Sequence, residues 1–220
     1  MRKTFVIGDI HGCYKTLMAL LAKITPDTGK DAFVFLGDYI DRGPDSQKVV
    51  AELLQLQQKY TNFIALKGNH EQMFLDFLDG KDQDFYLMMG GGATLKSYGL
   101  EEGWAPEYKY RIPSAHLTFI NELFSYWEDE ENIYTHAGLQ PGIHISQQDP
   151  EWLFWARKRF IDSDYDFGKR VIFGHTPFAT PRVEVNKIGI DTGAVFGGRL
   201  TCLILPEMEF VSVPVEKSGK

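Results

Sequence analysis

Five short stretches of the chain place metal-binding side-chain types beside glycine. They are Gly8-Asp9-Ile10-His11-Gly12, Gly37-Asp38-Tyr39-Ile40-Asp41-Arg42-Gly43, Gly68-Asn69-His70-Glu71, His136-Ala137-Gly138 and Gly174-His175-Thr176. Carboxylate, amide oxygen and imidazole nitrogen together suit first-row divalent cations. Asp9 and His11 are two apart, so both can point into one crevice as the chain turns at Gly12. Asp38 has the equivalent setting in the next stretch and is the natural carboxylate to bridge two cations, roughly 3.5–4 Å apart in two-metal sites. Asn69, His136 and His175 can complete the coordination of the second metal, and the neutral amide of Asn69 leaves the pair of dications with excess positive charge. Such a pocket attracts a phosphate dianion, and hydrolysis of a phosphate ester is the chemistry this donor set supports.

Those stretches need elements to position them. Each follows a short run rich in β-branched and aromatic residues: Phe5-Val6-Ile7, Ala32 to Leu36, Phe63 to Leu66, Asn132 to Thr135 and Val171 to Phe173. Such runs read as buried strands. Helical periodicity separates the first three. Leu17, Leu20, Leu21 and Ile24 form one apolar face. Asp45 or Ser46 can cap a helix carrying Val49, Val50, Leu53 and Leu54, and a third helix begins near Glu71 with Phe74, Leu75 and Leu78 inward. Strand–helix alternation implies parallel pairing, with ligands gathered beyond the carboxyl ends of the strands.

After about residue 182 the pattern changes to strands without helices, Val183 to Ile190, Leu200 to Leu205 and Phe210 to Val215, which read as a mostly antiparallel second sheet. The expected fold class is α/β, two face-to-face mixed β-sheets flanked by helices in a four-layer α-β-β-α sandwich. Residues 1–220 form one domain. A cap-like insertion at about 81–131 holds Gly90-Gly91-Gly92 and a helix around Ser114 to Trp127.

Composition excludes several classes. The net charge is −7, from 23 basic and 30 acidic side chains, so no basic stripe exists to grip a nucleic-acid backbone. No window approaches the roughly 18 apolar residues of a membrane span. The apolar run at the N-terminus is too short for a secretory segment, so the expected location is cytoplasmic. Two cysteines, Cys13 and Cys202, form no disulfide framework, and Cys13 is expected only to start a helix. His116 and His144 carry no expected role, and Glu216 to Lys220 are expected to fray.

The three ordered motifs, with His136 and His175 after them, resemble the phosphoprotein phosphatase family of calcineurin-like metallophosphoesterases, in its small phage and bacterial form. The resemblance also covers Gly90 to Gly92, Trp155-Ala156-Arg157 and Asp191 to Phe196, and so spans most of the chain. It implies that Asp9, His11 and Asp38 bind one metal and that Asp38, Asn69, His136 and His175 bind the other. It implies manganese, with iron, zinc or cobalt also compatible. A water shared by the metals attacks phosphorus in line, without a phosphoenzyme. His70 acts as general acid, oriented by Asp41, while Arg42 and Arg157 clamp the phosphate.

The same resemblance bears on substrate. Symmetrical diadenosine tetraphosphate hydrolases typically carry alanine in place of Asp41 and aspartate in place of Glu71. Both positions here follow the protein-phosphatase form, so a phosphoprotein or phosphopeptide is the expected substrate and a dinucleoside polyphosphate the alternative. A non-catalytic binding module is disfavoured because no ligand, clamp or acid is missing. The native metal, the physiological substrate, regulation and oligomeric state are not legible.

Overall fold

The structure is a computed structural model that describes residues 2–101 and 103–215. The segment Glu216 to Lys220, expected to fray, lies outside the described residues. The first third alternates strand and helix: β1 (Thr4–Ile7), α1 (Tyr14–Leu21), β2 (Ala32–Phe35), α2 (Ser46–Lys59), β3 (Asn62–Ala65) and α3 (Asn69–Leu78). Four shorter helices follow, α4 (Gln83–Tyr86), α5 (Gly92–Ser97), α6 (Tyr108–Arg111) and α7 (Ser114–Asn121), with a π-helical turn at Leu87–Gly91 between the first two. Then come β4 (Tyr126–Glu128), β5 (Asn132–Thr135), α8 (Pro150–Trp155), α9 (Lys158–Ile161), β6 (Arg170–Phe173), β7 (Arg182–Val183), β8 (Lys187–Gly189), β9 (Arg199–Leu205) and β10 (Glu209–Pro214).

The strands form two five-stranded mixed sheets, ordered β10-β9-β1-β2-β3 and β4-β5-β6-β8-β7. Pairing is parallel along β1-β2-β3 and along β5-β6-β8, and antiparallel at the flanks. Strand alternation divides the core. Val6, Val34, Ile64, Tyr134, Ile172, Ile188 and Leu203 face the layer between the sheets. Their neighbours Phe5, Ile7, Phe33 and Phe35 pack under the helices of the first sheet, and Ile133, Val171 and Phe173 pack under α8 and α9. The expected four-layer sandwich is therefore present.

Three local expectations change. The late strands do not make a sheet of their own: β9 pairs antiparallel with β1 and carries β10 on the first sheet, while β8 pairs parallel with β6 in the second. The segment expected as a helix around Ser114 to Trp127 stops being helical at Asn121 and re-enters as β4, because Tyr126 and Trp127 pair with Thr135 and Tyr134 of β5. Asp45 sits at the N-cap of α2 without capping it. Its carboxylate takes Lys48 Nζ at 2.7 Å, and Ser46 Oγ instead accepts the Asp41 N–H at 3.1 Å.

The helices of 83–121 pack through Tyr86, Leu95, Leu100, Ile112 and Phe119 into the core beneath the first sheet's helices. No helix among the described residues is long and apolar enough to cross a membrane.

Candidate active site

Six parallel strands, three from each sheet, deliver the polar residues at one edge of the sandwich. Beyond β1 stand Asp9 and His11, beyond β2 Asp38, Asp41 and Arg42, and beyond β3 Asn69, His70 and Glu71. Beyond β5 stands His136, beyond β6 His175, and beyond β8 Asp191. The loops are tied to one another. Ile10 and His11 both donate their N–H to the Asp38 carbonyl, at 3.0 and 2.8 Å, and Gly174 N donates to the His136 carbonyl at 2.8 Å. Among the described residues seven non-glycine residues have left-handed backbone, and five of them are His11, Asp38, Asp41, Arg42 and His175, with φ of 45°, 52°, 70°, 66° and 62°. That conformation costs an L-residue about 1–2 kcal/mol, and its concentration here marks turns shaped by side-chain direction.

Asp38 is the centre. Its Oδ2 lies 3.4 Å from His11 Nε2 and its Oδ1 lies 3.5 Å from His136 Nε2, so the two oxygens face different histidines. Two buried ligand groups share it: His11, Asp38 and His70, and Asp38, His136 and His175. Asn69 joins the second, with Oδ1 at 3.1 Å from His136 Nε2 and 3.0 Å from His175 Nδ1. Asp9 belongs to neither trio. Both its oxygens accept the His175 N–H, at 3.2 and 3.0 Å, and Asp38 and Asp191 are its charged neighbours. His70 takes the place in the first trio that the sequence reading gave to Asp9.

The donor set fits divalent cations. His11 Nδ1 faces the Ile40 carbonyl at 2.9 Å and His136 Nδ1 faces the Leu36 carbonyl at 2.8 Å. A carbonyl only accepts, so each Nδ1 carries the proton and each Nε2 presents a lone pair inward. For His136 that lone pair meets Asn69 Oδ1 and Asp38 Oδ1, two further acceptors. His175 Nδ1, 3.2 Å from His136 Nε2, is a group beside these acceptors able to donate, and a cluster so rich in inward lone pairs suits a cation. Burial drives His11 down to about 3 despite the opposing Asp38 carboxylate, and burial with His136 drives His175 down to about 2. These rings are neutral at physiological pH, as metal binding requires. Burial works against charge on Asp38, but the surrounding histidines outweigh it and hold the carboxyl below its usual range. Burial and neighbouring carboxylates push Asp9 up, and burial raises Asp191 to about 6.

Two glycines admit the carboxylates. A Cβ on Gly68 would collide with Asp38 Oδ1, and one on Gly174 with Asp9 Oδ1.

His70 and Asp41 form a separate pair. His70 Nδ1 lies 2.7 Å from Asp41 Oδ2, and His70 Nε2 is buried with no partner. Burial lowers the His70 pKa, but Asp38 and Asp41 outweigh it and the net shift is upward. Asp41 is itself held: Oδ1 accepts from Tyr86 OH at 2.8 Å and from Thr94 Oγ1 at 2.6 Å. Neither Tyr86 nor Thr94 was indicated by the sequence. They lie 45 and 53 positions from Asp41, and no local pattern links them.

Glu71 has no free oxygen for chemistry. Its Oε2 accepts from Asp38 N and Gly68 N, both at 2.9 Å, and its Oε1 accepts from Tyr39 N at 2.8 Å and Ile40 N at 3.4 Å. This buried carboxylate therefore fixes the backbone that carries Asp38. Asp191 accepts the Gly193 N–H at 2.9 Å and interacts electrostatically with Asp9, Arg42 and Arg157. A signal for it existed: Ile188-Gly189-Ile190 is one more apolar run ending at a carboxylate.

Arg42 Nη1 donates to His11 Nε2 at 2.7 Å. Arg157, at the head of α9, is exposed, and its charge contributes to the depressed pKa of His136 and His175. Both guanidinium groups thus border the cluster from different elements. Cys13 is a free thiol that burial pushes up to about 11, so it is protonated and inert. His116 is bonded to Tyr98 OH at 2.8 Å and His144 to Ser146 Oγ at 2.8 Å, both among residues that make no part of the cluster.

Comparison with known proteins agrees with this geometry. The family model for calcineurin-like phosphoesterases matches residues 2–196. The chain is 34% identical over 204 residues to serine/threonine-protein phosphatase 1 of Salmonella typhimurium, covering 91% of this chain and 90% of the relative. It is 31% identical over 240 residues to an asymmetrical bis(5'-nucleosyl)-tetraphosphatase of Anoxybacillus flavithermus, covering 95% and 93%. A solved structure provisionally described as a diadenosine tetraphosphatase superposes with a TM-score of 0.76 at 23% identity, over 99% of this chain and 95% of that one, which shows a shared fold.

Proposed function

Because the chain belongs to the calcineurin-like phosphoesterases, we propose that it is a metal-dependent phosphomonoester hydrolase acting as a protein phosphatase on phosphoserine and phosphothreonine, with phosphotyrosine within its range. The observation that carries the choice is the Asp41–His70 pair, with His70 Nε2 bare. An alkoxide leaving from a serine or threonine ester is a strong base and needs a proton delivered as the P–O bond breaks. A phosphate leaving from a dinucleoside polyphosphate needs far less help. A chain that holds its acid with Asp41, and Asp41 with Tyr86 and Thr94, is equipped for the harder leaving group.

In this reading Asp9, His11 and Asp38 hold one cation, and Asp38, Asn69, His136 and His175 the other, manganese by family likeness. When bound, the cations neutralise phosphate oxygens and acidify a water that attacks phosphorus. His11 and His136 keep their Nδ1 protons on the Ile40 and Leu36 carbonyls, which aims each Nε2 at the site. Arg42 and Arg157 grip non-bridging phosphate oxygens from two directions. His70 donates its Nε2 proton to the leaving oxygen, and Asp41 holds the ring and stabilises its charged form. Glu71 keeps the Asp38 loop in place throughout.

Dinucleoside polyphosphate hydrolysis is the second reading, favoured by the relative of that name at 31% identity. A manganese-loaded assay of a phosphoserine peptide against diadenosine tetraphosphate at equal concentration separates the two. Preference for the peptide supports the first reading. A dinucleotide preference above about a hundredfold, roughly 2.7 kcal/mol of transition-state discrimination, overturns it.

A further inference from the structure

A cavity of about 210 Å³ is lined by one short stretch of chain, from Glu151 to Arg159, and adjoins the histidine–aspartate cluster. At its near end the Trp155 ring meets the His175 ring edge-on, with centroids 6.2 Å apart. Trp152 stands three residues earlier on α8 and is therefore the neighbour of Trp155 on one helix face. The Arg159 guanidinium lies over the Trp152 ring, 4.6 Å from its centroid. The cavity thus leads from the cluster to Arg159, about one helical turn away along α8.

Three consecutive exposed cations, Arg157, Lys158 and Arg159, share this cavity with a single carboxylate, Glu151. Three positive charges against one negative leave it net positive. Among the described residues none of the three cations is paired with a carboxylate. Runs of surface cations are ordinarily just solvated. These differ in lining a concavity that touches His175 and that begins at Arg157, the residue assigned above to phosphate. The chain as a whole carries −7, so the local sign opposes the global one.

With Arg157 engaged by the scissile phosphate, Lys158 and Arg159 remain for a second anion of the substrate. The next phosphoryl group of a polyphosphate hangs from the first by one bridging oxygen, which holds it close to Arg157. In an extended peptide, residues two apart point to the same side about 7 Å from each other, a stride that carries past Arg157 toward Arg159.

We infer that Lys158 and Arg159 recognise an acidic side chain two positions from the phosphorylated serine or threonine, so that the preferred substrate is an acidic phosphopeptide. The inference rests on the protein-phosphatase reading and adds to it the sequence around the phosphate.

The test compares kcat/KM of the manganese-loaded protein on three phosphoserine peptides, carrying glutamate, alanine or lysine two positions to either side of the phosphoserine. Exposed ion pairs contribute modestly, so at low salt the glutamate peptide should exceed the lysine peptide by about 3- to 30-fold, mostly through KM. Added salt should shrink that ratio. A net charge of −7 acting alone predicts the opposite order, which makes the sign decisive. Lys158→Gln with Arg159→Gln should abolish the glutamate preference, and Lys158→Glu with Arg159→Glu should turn it into a lysine preference.

Equal rates on the three peptides, or a wild-type preference for lysine, overturn the subsite. A glutamate preference that survives both double variants does the same. If no peptide is hydrolysed while diadenosine tetraphosphate is, the protein-phosphatase reading falls and takes the subsite with it, so the two failures are distinct.

Discussion

His70 Nδ1 lies 2.7 Å from Asp41 Oδ2, and the opposite nitrogen of the same ring is buried with nothing to bond. The carboxylate orients the ring and supports its charged form, while the bare Nε2 is the atom from which a proton can leave. Replacing His70 with asparagine should retain both metals and lower the rate on an alkyl phosphate by roughly 10²–10⁴-fold. On an aryl phosphate with an acidic leaving group the loss should shrink markedly. Steady-state rates on the two substrates, with metal content measured in parallel, provide the check. Equal losses on both would remove His70 from the acid role.

Asp41→Asn should lose less than His70→Asn, because the proton donor remains while its orientation and charge support weaken. The same pair of substrates should again separate, the alkyl ester suffering more. A variant slower than His70→Asn on the alkyl phosphate, with both metals still bound, would mean that Asp41 acts in some way other than through His70.

Glu71 is the template for the Asp38 loop, since its two oxygens accept four backbone N–H groups. Glu71→Gln turns one oxygen into a donor facing backbone donors. The unsatisfied buried group should cost about 1–3 kcal/mol of stability. Urea unfolding of the metal-free protein measures it, and metal affinity should fall with it because the backbone of the Asp38 ligand is displaced. Unchanged stability and affinity would show that the loop holds itself.

Lys187 is a fully buried cation away from the cluster. Its Nζ donates to the Phe160 and Ile161 carbonyls at 3.1 and 3.0 Å and to that of Ser163, which closes the carboxyl end of α9. Lys187→Met fills similar volume but leaves those carbonyls without a donor, so it should destabilise the fold by about 1–3 kcal/mol. Unfolding curves decide this. A neutral substitution would mean that water replaces the amine.

The sequence made the strand ends legible because a buried run followed by a ligand-type residue with glycine close by is a local pattern, and it recurs at Asp9, Asp38, Asn69, His136 and His175. The layer architecture followed from the same alternation. What stayed hidden depends on pairing at a distance. Nothing within Leu200 to Leu205 says that β9 lies beside β1, since its apolar residues would suit either sheet. The end of α7 at Asn121 is set by the pairing of Tyr126 and Trp127 with β5, which overrides a locally helical stretch. Tyr86 and Thr94 reach Asp41 only through the packing of α4 and α5, and the position of His70 in the first trio follows from a helix that starts at Asn69.

With Oδ2 toward His11 and Oδ1 toward His136, Asp38 is placed to serve two cations at once. The most direct measurement of that sharing is a manganese titration of wild type and Asp38→Asn by calorimetry, with bound metal counted by elemental analysis after desalting. A shared Asp38 predicts two tightly bound ions per chain in wild type and loss of tight binding for at least one in the variant, which keeps the shape of the side chain but not its charge. Two ions held by Asp38→Asn as tightly as by wild type would contradict it.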